Sequence, residues 1–79
     1  MPTILRIGAY RFFFYSAGHP PMHIYAESGD NVAKFELEPV RLVMNRGFRG
    51  SEVTRLRALI IEHSDTFREK WHEFFGNSI

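Results

Sequence analysis

Cysteine is absent from this 79-residue chain, and no apolar run approaches the roughly 20 residues of a membrane span. The lack of cysteine excludes a disulfide scaffold, a cysteine-ligated zinc site and a thiol nucleophile. The first residues, Met1 to Arg6, lack the basic and then apolar pattern of a signal peptide. We therefore expect a cytoplasmic protein without a membrane partner, folded as a single domain over residues 1–79.

Charge is nearly balanced overall, with a formal net charge of +1, but it is divided between two segments. Residues 27–38 contain four carboxylates and one lysine, whereas residues 41–57 contain five arginines and one glutamate. The two segments can pair within the fold or across a symmetric oligomer. The pI of about 8.2 is lower than that of a dedicated nucleic-acid binder. We therefore favour pairing of the arginines with the acidic segment over contacts with nucleic acid.

β-Branched and aromatic residues over 3–7 and 10–15 predict two strands joined by Gly8-Ala9, which suits a type II′ hairpin turn. The turn predicts four cross-strand pairs: Ile7–Tyr10, Arg6–Arg11, Leu5–Phe12 and Ile4–Phe13. Like charges directly opposite each other destabilise a hairpin. The opposed Arg6 and Arg11 therefore predict a nearby anion, most simply a carboxylate.

A second hairpin is predicted from residues 22–27 and 32–37, which flank a loop rich in turn-forming residues at 28–31. Pairing of Glu27 with Val32 fixes its register. It predicts two apolar pairs and two polar pairs on opposite faces: Ile24–Phe35, Ala26–Ala33, His23–Glu36 and Tyr25–Lys34. Residues 41–44 are a candidate for a short fifth strand.

The C-terminal third of the chain has the periodicity of a helix that begins at Ser51 as N-cap. Its apolar stripe keeps one phase throughout, which predicts one long helix ending at Gly76-Asn77. A break near Ser64-Asp65 is the alternative, because Thr66 and Glu69 could form a second capping box. We expect an α+β fold: an antiparallel sheet of four or five strands, in two hairpins, with the long helix packed on one face.

Two imidazoles flank a Pro-Pro pair where the first predicted hairpin meets the second. His19 and His23 surround Pro20-Pro21, whose rings fix φ and remove amide donors, so the backbone is stiff there. Together with Glu36, they form a set of nitrogen and oxygen ligands that suits zinc. We favour the alternative that His23 hydrogen-bonds to Glu36 and His19 caps the elbow, without a bound metal.

A hydrolytic site is another hypothesis for the same region. A histidine base, a carboxyl group and cationic clamps on a phosphate are the parts of a small ribonuclease. Arg6 and Arg11 are candidates for the clamps, and Tyr25 and Lys34 are further candidate binding residues on the predicted polar face. No motif fixes the geometry of these groups, so an exposed polar face with an arginine–glutamate network explains them equally well.

Several specific short sequence motifs together cover nearly the whole chain. They are Leu5-Arg6-Ile7-Gly8, Tyr10 to Ser16, His19 to Ile24, Gly29-Asp30, Ala33-Lys34-Phe35, Pro39-Val40, Gly47-Phe48 and Trp71 with Glu73-Phe74-Phe75. In these motifs the chain resembles the small prokaryotic proteins of domain-of-unknown-function family 4160. The central pattern of that family is His, a variable residue, Pro-Pro, His, a variable residue, His and Val. His19 and His23 match its first two histidines, whereas Met22, Tyr25 and Ala26 replace the second Pro, the third His and the Val.

The resemblance implies no settled activity. It implies a gene beside that of another small protein of unknown function, an arrangement that suggests a toxin–antitoxin-like pair. We therefore predict an interaction protein that works through this partner rather than through turnover, uses no cofactor and forms a homo-oligomer. The alternative is a small nuclease or metal-assisted hydrolase that uses His19, His23 and Glu36, and a ligand-binding module comes third.

Overall fold

The computed structural model describes residues 3–15 and 19–76, and within these ranges the chain forms five strands followed by two helices. The strands are β1 (Thr3–Ile7), β2 (Tyr10–Phe13), β3 (His23–Ser28), β4 (Asn31–Leu37) and β5 (Val40–Arg46), and the helices are α1 (Gly50–Glu62) and α2 (Ser64–Phe75). Each strand pairs antiparallel with the next, so the sheet order is β1-β2-β3-β4-β5. The predicted α+β fold is confirmed, with five strands.

The first hairpin has the predicted turn. Gly8 has a φ of +58°, whereas Ala9 does not have a positive φ, which agrees with type II′ and excludes type I′. Three predicted pairs are confirmed: Ile7–Tyr10, Arg6–Arg11 and Leu5–Phe12. The fourth is wrong, because the register shifts near the start of β1 and Thr3 rather than Ile4 lies opposite Phe13. Such an irregularity adds a residue to one strand, and strict alternation along a sequence does not reveal it.

The second hairpin has the predicted register, but the predicted four-residue loop is wrong: Ser28 pairs with Asn31, so the strands extend further and only Gly29-Asp30 joins them. All five pairs are confirmed: Glu27–Val32, Ala26–Ala33, Tyr25–Lys34, Ile24–Phe35 and His23–Glu36. The fifth strand is longer than residues 41–44, because its pairing with β4 runs from Val40–Leu37 to Arg46–Val32. The register of this pairing shifts between Lys34 and Phe35, where β5 accommodates one extra residue.

The helices cover one face of the sheet. The main core consists of buried residues from β2 to β4, the loops and both helices: Phe12, Phe14, Ile24, Ala26, Ala33, Phe35, Leu37, Phe48, Leu56, Ile60, Phe67 and Trp71. Ring contacts join the layers, with centroids 5.3 Å apart for Phe12 and Phe67 and 5.4 Å apart for Phe14 and Trp71. Burial of an aromatic or aliphatic side chain contributes about 1.5–3 kcal/mol, so this face supplies most of the stability.

The prediction of one long helix is wrong. The alternative, a break near Ser64-Asp65, is confirmed. His63 separates α1 from α2 with φ −106° and ψ 17°, and its carbonyl accepts the amide proton of Phe67. Ser, Asp and Thr follow it, and these residues compete for backbone hydrogen bonds and favour helix ends. The proposed box does not start α2, because Thr66 lies inside the helix. Neither helix is long and apolar enough to cross a membrane.

The ends of the helical region differ slightly from the prediction. Arg49 rather than Ser51 is the N-cap of α1, and the Glu52 carboxylate accepts the Arg49 amide proton at 3.4 Å. A carboxylate in the first turn is also favoured by the helix dipole. At the other end Gly76 follows α2 with a φ of +79°, as predicted for a C-terminal glycine. The predicted Asn77 lies outside the described residues.

Candidate functional site

The helices pack on one face of the sheet, and we call the other face the open face; of its residues, His23 at one end contacts Trp71 of α2. The strand register arranges its side chains in three rows across the sheet. The rows are Arg6, Arg11, Glu27, Val32 and Arg46; then Thr3, Phe13, Tyr25, Lys34 and Met44; and finally His23, Glu36 and Arg41. All candidate binding residues predicted from the sequence therefore share this face.

Aromatic rings form a cluster in the middle of the open face. The ring of Phe13 is stacked on that of Tyr25 at 5.4 Å, and the Tyr15 ring lies 4.9 Å from Tyr25 and 5.6 Å from Phe13. Two cations extend the cluster, because the Arg11 guanidinium lies 4.3 Å from the Phe13 ring centre and the Lys34 ammonium lies 5.7 Å from that of Tyr25. Phe13 is buried but lies outside the main core.

Both carboxylates of the open face are paired with arginines. The predicted anion beside Arg6 and Arg11 is Glu27 on the next strand, which accepts a bond from Arg11 Nε at 2.8 Å. Glu36 Oε1 accepts bonds from Arg41 Nη2 at 2.8 Å and Nε at 3.2 Å. The second pair joins the acidic and basic segments within the chain, as the sequence predicted.

The open face has an excess of positive charge. Five cations stand against two carboxylates, which leaves three net positive charges; the cations are Arg6, Arg11, Lys34, Arg41 and Arg46. Among residues 3–15 and 19–76, no carboxylate lies within ion-pair distance of Arg6, Lys34 or Arg46. A binding partner for this face is therefore expected to be anionic or to present anionic groups.

A pocket of about 330 Å³ lies at one end of the open face, between the Pro-Pro segment and strands β3 and β4. Six of its lining residues carry rings: Tyr15, His19, Pro20, Pro21, His23 and Tyr25. Lys34 and Glu36 complete the lining. The structure thus brings together all three candidate catalytic residues and two of the four candidate binding residues.

Two candidates lie away from the pocket, and one lining residue was missed. Arg6 and Arg11 occupy the opposite row of the open face and do not line the pocket. The predicted combination of a histidine base with these two arginines as clamps is therefore not assembled around one cavity. Tyr15 was not among the candidates, although alternation along residues 10–15 places it on the same face as Arg11 and Phe13.

His23 makes a different hydrogen bond from the predicted one. Its Nδ1–H donates to the Pro21 carbonyl at 3.0 Å, whereas Glu36 is held by Arg41, so the predicted bond between His23 and Glu36 is wrong. The register was right, but the ring bonds to a carbonyl of the adjoining Pro-Pro segment instead. Only 5% of the residue is exposed, and its ring lies 4.9 Å from that of Trp71.

Burial lowers the pKa of His23 below its ordinary value of 6.5. The nearby Lys34 ammonium also lowers this pKa, whereas the Pro21 carbonyl and Glu36 raise it, and burial prevails. The ring is therefore neutral at pH 7. Because the Pro21 carbonyl holds the proton on Nδ1, Nε2 is the unprotonated nitrogen. It can accept a hydrogen bond, bind a proton as a general base, or ligate a metal.

His19 is exposed at the edge of the pocket. Among residues 3–15 and 19–76, its imidazole has no hydrogen-bond partner. The structure therefore shows no hydrogen bond by which His19 would cap the Pro-Pro elbow within these residues. In the same part of the chain, no group of three His, Asp or Glu side chains is placed to hold a metal ion. The hypothesis of a zinc site made by His19, His23 and Glu36 therefore has no geometric support.

Comparison with known proteins gives one match. Residues 9–72 match the sequence profile of the family described as Domain of unknown function (DUF4160), which confirms the resemblance seen in the sequence motifs. The matched range includes the pocket and most of the open face. No curated protein and no solved structure matches the chain.

Proposed function

We propose that this chain, which belongs to the domain-of-unknown-function family 4160, is a cytoplasmic interaction protein and one member of a toxin–antitoxin-like pair. It acts by binding its protein partner through the open face of the sheet. One observation carries the proposal: the sheet has a face with an aromatic cluster and three excess positive charges that the helices of the chain do not cover.

The composition of the open face supports a protein partner. Tyr and Arg residues are enriched among the side chains that dominate binding energy in protein interfaces. Tyr15 and Tyr25 contact each other, and Arg11 is held by both Glu27 and the Phe13 ring, so little side-chain freedom remains to be lost on binding. Reducing that entropic cost raises affinity. An acidic partner surface would complement the charge.

The direct test is expression of the chain alone, and then together with the protein from the neighbouring gene. We expect growth arrest from one gene, rescue by the other, and co-purification of the two proteins. Lys34→Glu on the open face should abolish co-purification, whereas the matched change Arg57→Glu on an exposed position of α1 should not. Absence of both rescue and co-purification would contradict the proposal.

We also propose that the protein self-associates as a homo-oligomer. Within residues 3–15 and 19–76, the outer edges of β1 and β5 are not paired with another strand, and Leu42 and Val43 on β5 are 37% and 40% exposed. Unpaired edges of this kind readily pair with a second strand. Light scattering at micromolar concentration should give at least a dimer mass. A monomer mass at both low and high salt would contradict this.

A small nuclease is the second candidate, and the shared pocket of His19, His23 and Glu36 favours it. The neutral His23 with a free Nε2 has the protonation state of a general base. The assay is cleavage of RNA and DNA by purified protein, with and without divalent metal. A loss of about 10²–10⁴-fold in a folded His23→Ala variant would support catalysis. Absence of cleavage under all conditions would contradict the nuclease function and leave protein binding as the single proposed function.

A further inference from the structure

We infer that the pocket beside Pro20-Pro21 binds a nucleotide, with its base against the ring walls and its phosphate at the Lys34 ammonium. The inference goes beyond the proposed function, because it concerns the chain alone. It requires neither the protein partner nor cleavage of a substrate. Four properties of the pocket lead to it: its size, its walls, its charge and its hydrogen-bonding groups.

The size and walls of the pocket fit a flat ring. Its volume of about 330 Å³ lies at the lower end of the roughly 300–1,000 Å³ of small-molecule sites. Tyr15 and Tyr25 stand perpendicular to each other with their ring centres 4.9 Å apart, and the proline and histidine rings form the other walls. Nucleobases stack on aromatic faces in protein sites without regard to sequence.

The charge distribution of the pocket favours an anionic group beside Lys34. Glu36 and Lys34 are its formally charged residues. The Glu36 carboxylate is neutralised by two bonds from Arg41, whereas the Lys34 ammonium has no carboxylate partner among the described residues. The Lys34 ammonium lies over the Tyr25 ring at 5.7 Å, and Phe13 is stacked on that ring, so a base would stack on the exposed Tyr15 ring, whose centre is 4.9 Å from that of Tyr25. Base and phosphate of one nucleotide can therefore be bound together.

Besides the Tyr15 and Tyr25 hydroxyl groups and the His19 imidazole, the pocket offers two hydrogen-bond acceptors, on His23 and Glu36. His23 uses Nδ1–H on the Pro21 carbonyl, which leaves Nε2 as an acceptor in the neutral ring. Both bonds from Arg41 go to Glu36 Oε1, so Oε2 is an acceptor without a bond among the described residues. Nucleobases carry N–H donors on their edges. A hydrocarbon carboxylic acid would satisfy the walls and the lysine but would donate no hydrogen bond to either acceptor.

The nucleotide could be a free mononucleotide or one unit of a single strand, since the two share this chemistry. A strand would continue from the pocket over the open face, where Arg6 and Arg46 supply further positive charge. Four-stranded sheets with surface aromatics bind RNA in this way and stack two or three bases. The experiment below separates the two sources.

The first measurement uses the intact protein with AMP and with adenosine. Trp71 is the single tryptophan and its ring lies 4.9 Å from His23, so its fluorescence reports on the pocket. We expect saturable quenching by AMP with a dissociation constant in or below the millimolar range, and at least about tenfold weaker binding of adenosine, which lacks the phosphate. A fluorescein-labelled hexamer of uridine, followed by anisotropy, tests the single strand.

Three variants separate the pocket from general electrostatics. Lys34→Gln should weaken AMP binding about tenfold and leave adenosine binding unchanged. Tyr15→Ala, at a position that is 46% exposed, should weaken both ligands about tenfold through lost stacking. Arg57→Gln removes one charge from an exposed position of α1 and should change neither. Circular dichroism establishes that each variant is folded.

The outcomes decide the inference. Hexamer binding at least about tenfold tighter than AMP assigns the pocket to single-stranded nucleic acid, and equal affinity assigns it to a free nucleotide. Equal affinity of AMP and adenosine, or equal weakening by Lys34→Gln and Arg57→Gln, would overturn the inference. So would the absence of saturable binding up to about 5 mM ligand, above the range of weak specific sites. Rescue by the neighbouring gene product is unaffected by these results, so this inference and the proposed function can fail separately.

Discussion

On the covered face of the sheet, side chains such as Phe12, Ala26 and Phe35 are fully closed to solvent by α1 and α2. On the open face, rings and charges contact one another instead. Burial of one large apolar side chain contributes about 1.5–3 kcal/mol, whereas an exposed ion pair contributes about 0–1 kcal/mol. The covered face therefore determines whether the chain folds, and the open face is available to determine what it binds.

The largest expected effect comes from removing a ring from the covered face. Phe12→Ala should lower the free energy of unfolding by about 3–5 kcal/mol, because the Phe12 ring packs on Phe67 and leaves a cavity when removed. Tyr15→Ala on the open face should cost less than about 1 kcal/mol. Urea denaturation followed by circular dichroism measures both. Equal losses would show that the two faces do not divide stability and binding as described.

The next effect concerns the turn that fixes the alternation of the two faces in β1 and β2. Gly8→Val should destabilise the protein by more than about 1 kcal/mol, because a β-branched residue is strained at the φ of +58°. Gly50→Ala is the matched control, since Gly50 has no positive φ and an added Cβ would meet open space. An unfolding midpoint of Gly8→Val equal to that of the parent would contradict the prediction.

Ion pairs of the open face should have a smaller effect. Arg11→Gln should cost at most about 1 kcal/mol, because Arg11 is 17% exposed and contacts both Glu27 and the Phe13 ring. Arg41→Gln should cost about 0–0.5 kcal/mol, since its side chain is 63% exposed. Both losses should shrink in about 1 M salt, where charges are screened. A larger loss for Arg41 than for Arg11 would contradict the ranking by burial.

The smallest expected effect is a pH dependence at the boundary of the two faces. The pKa of His23 in the folded protein is lowered below 6.5, so the fold favours the neutral ring. The contribution of this histidine to stability is therefore complete above pH 6.5 and is lost as the pH falls through and below that value. Lys34, Glu36 and the Pro21 carbonyl are the groups that modify it.

His23→Gln isolates this contribution, because the other three histidines are present in both proteins. Thermal unfolding midpoints at pH 8 and pH 5 should differ more in the parent than in the variant. A steeper acid loss in His23→Gln than in the parent would mean that the folded protein stabilises the charged ring. That result would contradict the neutral state on which the hydrogen-bonding argument for the pocket depends.

The two hairpins illustrate how far sequence reasoning reaches. The register of β3 and β4 was predicted completely, because each face of that hairpin has a uniform character and the turn at residues 28–31 is rich in turn formers. The Ile4–Phe13 pair was wrong, since β1 accommodates one extra residue between Thr3 and Leu5, which strict alternation along the sequence does not reveal. The open face followed from alternation, yet the pocket did not, because it also needs the Pro20-Pro21 segment to lie over β3 and β4.

The sequence by itself determined the α+β class, the turn of the first hairpin, the polarity of each sheet face and the carboxylate beside the Arg6–Arg11 pair. These are local or next-strand properties, governed by alternation, turn chemistry and charge. Only the tertiary structure decided the helix break at His63 and the partner of the His23 imidazole, which is the Pro21 carbonyl rather than Glu36. The apolar periodicity is the same for one helix or two, and the strand register places Glu36 opposite His23 without fixing the direction of either side chain.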